Sequence, residues 1–336
     1  MSFRQGVIAR SDPAFDRQPE APYVELARPF VESAPVRNSP SRRARPVLDK
    51  VLIATDFSKH AGHAMDRAAM LADQRLVSRS SLLHVVRQSP TARIQSVLQR
   101  NSMKDLDHVS SAQQLAAAAD EFRIRTGLTV DEHVERGSLV KAVRRCASDA
   151  DLVMLGAPGA RPLRDFAIGS TAARVLRGTR KPVLVVRRRA DVPYRRVVVA
   201  VDFALDAGNA LAYAQAIASE ATLNLVHVYR VRQEEKMLSA GVAEDLIYEE
   251  RREAQVEAAG KMIELIRSHL PSAAPRVFLV HGYAAAELLE KGRDLMADLI
   301  VVTKREESLG NAFLLDSVTQ QLLEKSRSDV LVVRAS

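Results

Sequence analysis

Gly156, Gly159, Gly169 and Ser170 fall within one stretch, GAPGARPLRDFAIGST from Gly156 to Thr171, with the spacing G-x2-G-x9-G-S. Glycines let a backbone turn tightly and carry its N–H groups close to a ligand, and Ser170 or Thr171 can cap a following helix. A helix N-terminus bears partial positive charge, so an anion suits such a stretch, phosphate above all. On spacing alone, an ordinary glycine-punctuated loop is an equal reading. An apolar run, Asp151 to Leu155, precedes the stretch, and a helical pattern opens near Ser170. The stretch therefore joins the carboxyl end of a strand to a helix N-terminus, which is where open α/β sheets bind ligands.

The elements that must position it alternate from Leu48 onward. Val51 to Thr55 reads as a strand, and Ser58 caps a helix carrying Ala61, Ala64, Met65, Ala68, Ala69 and Ala72, small enough to pack closely on a sheet. Ser81 to Val86 is a second strand. A polar connection from Arg87 to about Asp107 leads into a helix through Phe122, then a strand from Leu128 to Val134. Leu139 to Ala147 reads as helix, Leu152 to Leu155 as strand, Ser170 to Leu176 as helix and Val183 to Val186 as strand. Such alternation implies parallel strands with crossover helices.

The pattern then begins again. Val197–Asp202 (VVVAVD) answers Val51–Asp56 (VLIATD), Leu225–Arg230 (LVHVYR) answers Leu82–Arg87 (LLHVVR), and Val330–Arg334 answers Val183–Arg187, both VLVVR. The predicted fold class is thus α/β, with two tandem open-sheet units, each a mainly parallel five-stranded sheet flanked by helices. The expected boundaries are an arm over 1–46, a first unit over 47–188, a linker over 189–195 containing Pro193, and a second unit over 196–336. The arm holds seven of the fourteen prolines and no sustained period, and it is expected to be disordered.

The motif G-x2-G-x9-G-[ST], matched at Gly156, Gly159, Gly169 and Ser170, resembles the nucleotide loop of ATP-binding universal stress proteins. Val51–Ser58, Leu83–Val86 and Lys181–Val186 resemble the first, second and last strands of that family. The resemblance implies an adenine nucleotide alpha hydrolase-like fold and ATP, ADP or AMP as ligand. It assigns adenine and ribose contacts to Asp56 and Val85, and phosphate contacts to the loop and to Ser170 and Thr171. A carboxylate can hold ribose hydroxyls and an apolar side chain can cover a purine face, although Asp56 also reads as a helix cap beside Ser58. Arg161 and Arg164 either approach the phosphates or face water with Asp165. No ligand set for a magnesium ion is identifiable. The family also pairs such units through their last strands, here within one chain, with a homodimer also open.

The second unit departs from the motif. Aligned on Leu299–Val302, it places Thr303 opposite Gly156, Glu306 opposite Gly159, Asp316 opposite Gly169 and Ser317 opposite Ser170. A carboxylate ~4 Å from a phosphate opposes it by ~1 kcal/mol in water and ~4 kcal/mol at an effective dielectric near 20. One nucleotide site is therefore expected, in the first unit, with the second unit as scaffold or surface for an unknown protein partner.

His60-Ala61-Gly62-His63 has the form H-x-G-H and resembles the phosphate-binding motif of nucleotidylyltransferases, which makes an enzyme of that kind the main alternative; a nucleotide-independent scaffold is another. Against the enzyme, no serine-threonine-rich signature stands near the end of the unit. Both histidines are expected to be exposed on the first helix, without a third metal ligand. His84 and His227 occupy matching strand positions, which points to a packing role shared by the repeats. No P-loop, G-x-G-x-x-G, H-E-x-x-H or G-x-S-x-G motif occurs. No residue reads as a general base for attacking water, so binding without catalysis is expected.

The composition sets the remaining bounds. The chain has 336 residues, 47% of them hydrophobic, and no apolar run near the ~20 residues that cross a bilayer. A formal net charge of +8 is compatible with nucleic acid, but with 4% aromatic residues and no tryptophan a basic solvated surface is the better reading. The single cysteine, Cys146, excludes an internal disulfide and fits a reducing compartment. The first residues lack the apolar core of a secretory signal, and the acidic residues Asp12, Asp16, Glu20, Glu25 and Glu32 argue against a transit peptide, so a cytoplasmic location is expected.

Overall fold

The computed structural model describes residues 23–26, 48–86, 102–157, 170–271, 273–304 and 317–335. The first domain runs β2 (Lys50–Thr55), α1 (Lys59–Asp73), β3 (Arg79–Val86), α2 (Ser102–Thr126), β4 (Thr129–Arg136), α3 (Leu139–Cys146), β5 (Leu152–Gly156), α4 (Ser170–Gly178) and β6 (Val183–Val186). The second runs β7 (Arg196–Ala200), α5 (Ala207–Ile217), β8 (Thr222–Tyr229), α6 (Glu234–Ser239), α7 (Glu244–His269), β9 (Arg276–His281), α8 (Ala284–Asp294), β10 (Leu299–Lys304), α9 (Ser317–Lys325) and β11 (Asp329–Arg334).

The two five-stranded units are parts of one continuous sheet. With a further strand, β1 (Tyr23–Leu26), the order is β1-β9-β8-β7-β10-β11-β6-β5-β2-β3-β4. Every pairing within a domain is parallel, whereas β6 and β11 join the domains antiparallel, with Val183↔Val332, Leu184↔Leu331 and Val185↔Val330 as partners. Because Leu184 and Leu331 are repeat equivalents, the junction relates the domains by a local two-fold axis.

Successive residues of the central strands are buried on opposite faces. Val51 and Ile53 belong to one core and Leu52 to the other, and each core includes residues of both domains. That two-sided burial is what helices on both faces of a parallel sheet require, and it explains why the strands read as continuous apolar runs rather than alternating ones.

The expectation of disorder throughout 1–46 is corrected at Tyr23–Leu26, which pair antiparallel with β9 from Tyr23↔Val280 to Leu26↔Val277. A four-residue run is too short to show a period, and the partner that completes its hydrogen bonds lies some 250 residues away in sequence. The remainder of the arm lies outside the described residues.

The linker is pinned rather than loose. The Tyr194 hydroxyl donates to Asp329 Oδ2 at 2.6 Å, and the Arg187 N–H donates to Asp329 Oδ1 at 2.8 Å. Arg67 of α1 lies 3.9 Å over the Tyr194 ring, donates to the Val192 carbonyl at 3.0 Å and stands 3.7 Å from Asp329. Burial raises the Asp329 pKa, and the hydrogen bonds from Tyr194 and Arg187 and the charge of Arg67 only partly offset it. Burial, then the nearby Asp329 charge, pushes Tyr194 well above its ordinary range, so its hydroxyl stays protonated and able to donate. At the amino-terminal side of the sheet, both repeats use one carboxylate in the same way. Asp151 Oδ2 accepts from the N–H groups of Asp49 and Lys50 at 3.0 Å, and Asp298 Oδ2 accepts from those of Arg195 and Arg196 at 2.9 Å. Cys146 is buried on α3 and burial pushes its thiol above the usual range, as suits an inert structural cysteine.

Candidate functional site

Three expected site residues converge at the carboxyl end of the first domain's sheet. Ala54 registers with Leu155 on one side of β2, and Thr55 with His84 on the other. Continuing that register, Gly156 at the end of β5 is level with Thr55, and Asp56, the first residue past β2, is level with Val85 near the end of β3, so the three lie within one residue of each other in register at the carboxyl edge of the sheet. Val85 is half-buried against the core and Asp56 is exposed. α4 begins at Ser170, so Ser170 and Thr171 lie in its first turn, where backbone N–H groups have no intrahelical acceptor, rather than ahead of the helix as a cap. Gly159, Gly169, Arg161, Arg164 and Asp165 lie outside the described residues.

The turn after β2 is built by short side chains. Asp56 Oδ1 accepts from the Ser58 N–H at 3.1 Å, Thr55 Oγ1 accepts from the Phe57 N–H at 3.0 Å, and Ser58 Oγ accepts from the Ala61 N–H at 3.2 Å, capping α1 as expected. Partial desolvation of the carboxyl raises the Asp56 pKa although the residue as a whole is exposed, but the hydrogen bonds from Ser58 outweigh it and hold the carboxyl below its ordinary value, so it is an anion at neutral pH. Phe57 takes a left-handed φ of 61°, and its ring stacks on His84 at 4.4 Å. His84 Nδ1 lies 2.9 Å from the Thr55 carbonyl, which can only accept, so Nδ1 carries a proton.

The second domain repeats this turn. Asp202 Oδ1 accepts from the Ala204 N–H at 2.9 Å, Phe203 packs on His227 at 4.3 Å, and His227 Nδ1 meets the Val201 carbonyl at 2.8 Å. The expected packing role of the two histidines is what the geometry displays. Asp56 accordingly has a structural task that Asp202 shares, whatever else it holds.

Gly156 has a steric reason of its own. A Cβ there would fall 1.8 Å from the His60 carbonyl oxygen and 2.6 Å from the Ala61 nitrogen, so the glycine admits the first turn of α1 against β5. The missing side chain makes room for a helix, not directly for a phosphate. Its counterpart Thr303 registers with Val333 as Gly156 does with Val186, which supports the alignment of the repeats. Thr303 fits because α5 begins at Ala207, five residues after Asp202, whereas α1 begins at Lys59, three residues after Asp56. Glu306 and Asp316 lie outside the described residues, and Ser317 opens α9.

His60 and His63 are half-buried, a correction to the expectation that they are exposed; their rings meet edge-on at 5.9 Å, because the close seat of α1 on β5 draws its first turn inward. Among the described residues no group of three or more His, Cys, Asp or Glu side chains is placed to hold a metal ion. No helix among them is long and apolar enough to cross a membrane.

The family profile described as the Universal stress protein family matches residues 48–187 and again 193–334. Among solved structures, a universal stress protein from Archaeoglobus fulgidus DSM 4304 superposes with a TM-score of 0.61 at 19% identity, covering 86% of this chain and 99% of that one. A functionally unknown protein from Pseudomonas aeruginosa PAO1 gives 0.59 at 18% identity over 87% and 94% of the two chains. A putative universal stress protein from Pseudomonas aeruginosa UCBPP-PA14 gives 0.55 at 18% identity over 87% and 95%. No curated protein matches the sequence.

Proposed function

Because the chain belongs to the universal stress protein family, with two such domains in tandem, we propose that it is a cytoplasmic stress-response protein that binds ATP, or its relatives ADP and AMP, in the first domain alone. The observation that supports this reading is the gathering of Asp56, Val85 and Gly156, within one residue of each other in register, at the carboxyl ends of three adjacent strands, of which β5 is the one followed in sequence by α4. An exposed carboxylate there suits ribose hydroxyls, a half-buried valine suits a purine face, and the first-turn N–H groups of α4 suit phosphate oxygens. Positions 159 and 169 carry no side chain in the first domain, whereas their counterparts in the second are the carboxylates Glu306 and Asp316. In this proposal the second domain serves as scaffold or partner surface.

Binding rather than turnover is part of the same proposal. His84 is committed to the Thr55 carbonyl and to the Phe57 ring, and Asp56 to the turn it closes.

The test is the identity and stoichiometry of nucleotide carried through purification, followed by isothermal titration. One adenine nucleotide per chain is expected, and Gly159→Glu should abolish binding while the chain still folds. Two equivalent sites per chain, or no affinity for ATP, ADP or AMP, would refute it.

A further inference from the structure

The two domains end their sheets differently. β4 is the outer strand of the first domain, and it carries Asp131, Glu132, Glu135 and Arg136 along its eight residues. β9 holds the equivalent place in the second domain, and its central residues Val277, Phe278, Leu279 and Val280 are all buried and uncharged. An uncharged edge strand is a template for pairing with another chain, a hazard that proteins remove with charge or with cover. β4 has the charge. β9 has the cover, supplied by β1 through four antiparallel pairs.

The same chain can supply that cover. β1 lies eight strand positions from β2, or roughly 38 Å at ~4.8 Å per strand. The 23 residues between Leu26 and Lys50 can extend to about 76–83 Å. Covalent attachment over this length keeps the arm at a far higher effective concentration near the edge than a strand from a separate chain would have. A second copy of the chain brings a β9 of six residues, a longer ladder than the four of β1, but only at its bulk concentration.

We propose that β1 is an edge guard, whose pairing with β9 keeps that strand from joining antiparallel to β9 of a second copy. β9 already accepts an antiparallel strand, and two identical strands paired in this sense form a self-complementary, two-fold interface. Release of the arm would convert a closed sheet into one that associates with itself.

The test uses the full chain carrying Val24→Pro and Glu25→Pro together. Successive strand residues point their N–H groups to opposite sides, so one of the two prolines must delete a donor to β9. The expected result is loss of hydrogen-exchange protection at β9 amides at low concentration, and a doubling of sedimenting mass, relative to the unaltered chain, as concentration rises and a second β9 covers them. A synthetic peptide of residues 20–29 should reverse both. A variant that sediments as the unaltered chain does at every concentration would overturn the proposal, whether or not its exchange changes. So would an unaltered chain that is itself a dimer dissolved by the prolines, since that would mean arms exchanged between copies.

Discussion

Leu184 of β6 lies directly opposite Leu331 of β11, its own counterpart in the other repeat, at the one antiparallel step joining the domains. Both side chains are fully buried in the core that runs through both domains. Truncation of either removes equivalent contacts on the two sides of a local two-fold axis. Leu184→Ala and Leu331→Ala should each cost about 2–5 kcal/mol in urea unfolding, and by similar amounts. A large disparity would mean that the junction is less symmetric than its register.

Gly156→Ala should destabilise the chain because the added methyl meets backbone rather than a flexible side chain. Overpacking of that kind costs typically 1–3 kcal/mol. The reverse change in the other repeat, Thr303→Gly, removes a buried side chain for which α5 has already left space, and should create no new fit for a helix. Thermal unfolding of Gly156→Ala at the wild-type midpoint would contradict the close approach of α1.

Asp56→Asn separates the two tasks of that residue. Its Oδ1 acceptor for the Ser58 N–H survives in the amide, so the fold should be unchanged, while the charge that would grip ribose hydroxyls is lost. Titration with ATP should show weaker binding for Asp56→Asn and none of that loss for Asp202→Asn. Equal affinities for all three proteins would leave Asp56 with its turn-closing task alone.

Asp329 predicts a pH dependence with a definite sign. Its folded pKa is raised from 3.8 chiefly by burial, so its contribution to stability is greatest when it is protonated, below the unfolded value, and is lost as pH rises through the folded one. Asp329→Asn keeps an acceptor for the Tyr194 hydroxyl and does not titrate. Measured by urea unfolding between about pH 4 and pH 8, the stability of the wild type relative to this variant should fall as pH rises. A difference that stays flat or grows with pH would show that Arg67, Arg187 and Tyr194 outweigh burial.

Much of the architecture was legible because its signals are local and repeated. Apolar runs bounded by turns mark buried parallel strands, and VLVVR occurring at both 183–187 and 330–334 marks the duplicated strand that the junction then pairs with itself. The equivalence of Gly156 and Thr303 was readable from alignment and reappears in the strand register. What was not legible depends on partners distant in sequence. Nothing near Tyr23 announces β9, nothing near Tyr194 announces Asp329, and the reason for Gly156 lies in the approach of His60, almost a hundred residues earlier. The half-burial of His60 and His63 has the same origin, since helix periodicity cannot say how deeply a first turn is seated.

The covalent link between the two domains has a consequence for how much protein the arrangement needs. Separate subunits joined through their last strands part on dilution, whereas here β6 and β11 meet at an effective concentration set by the short stretch Arg187–Arg195. Scarcity of the protein cannot undo that meeting, and the ratio of one glycine-looped half to one acid-looped half is set at translation, before any partner or ligand is present.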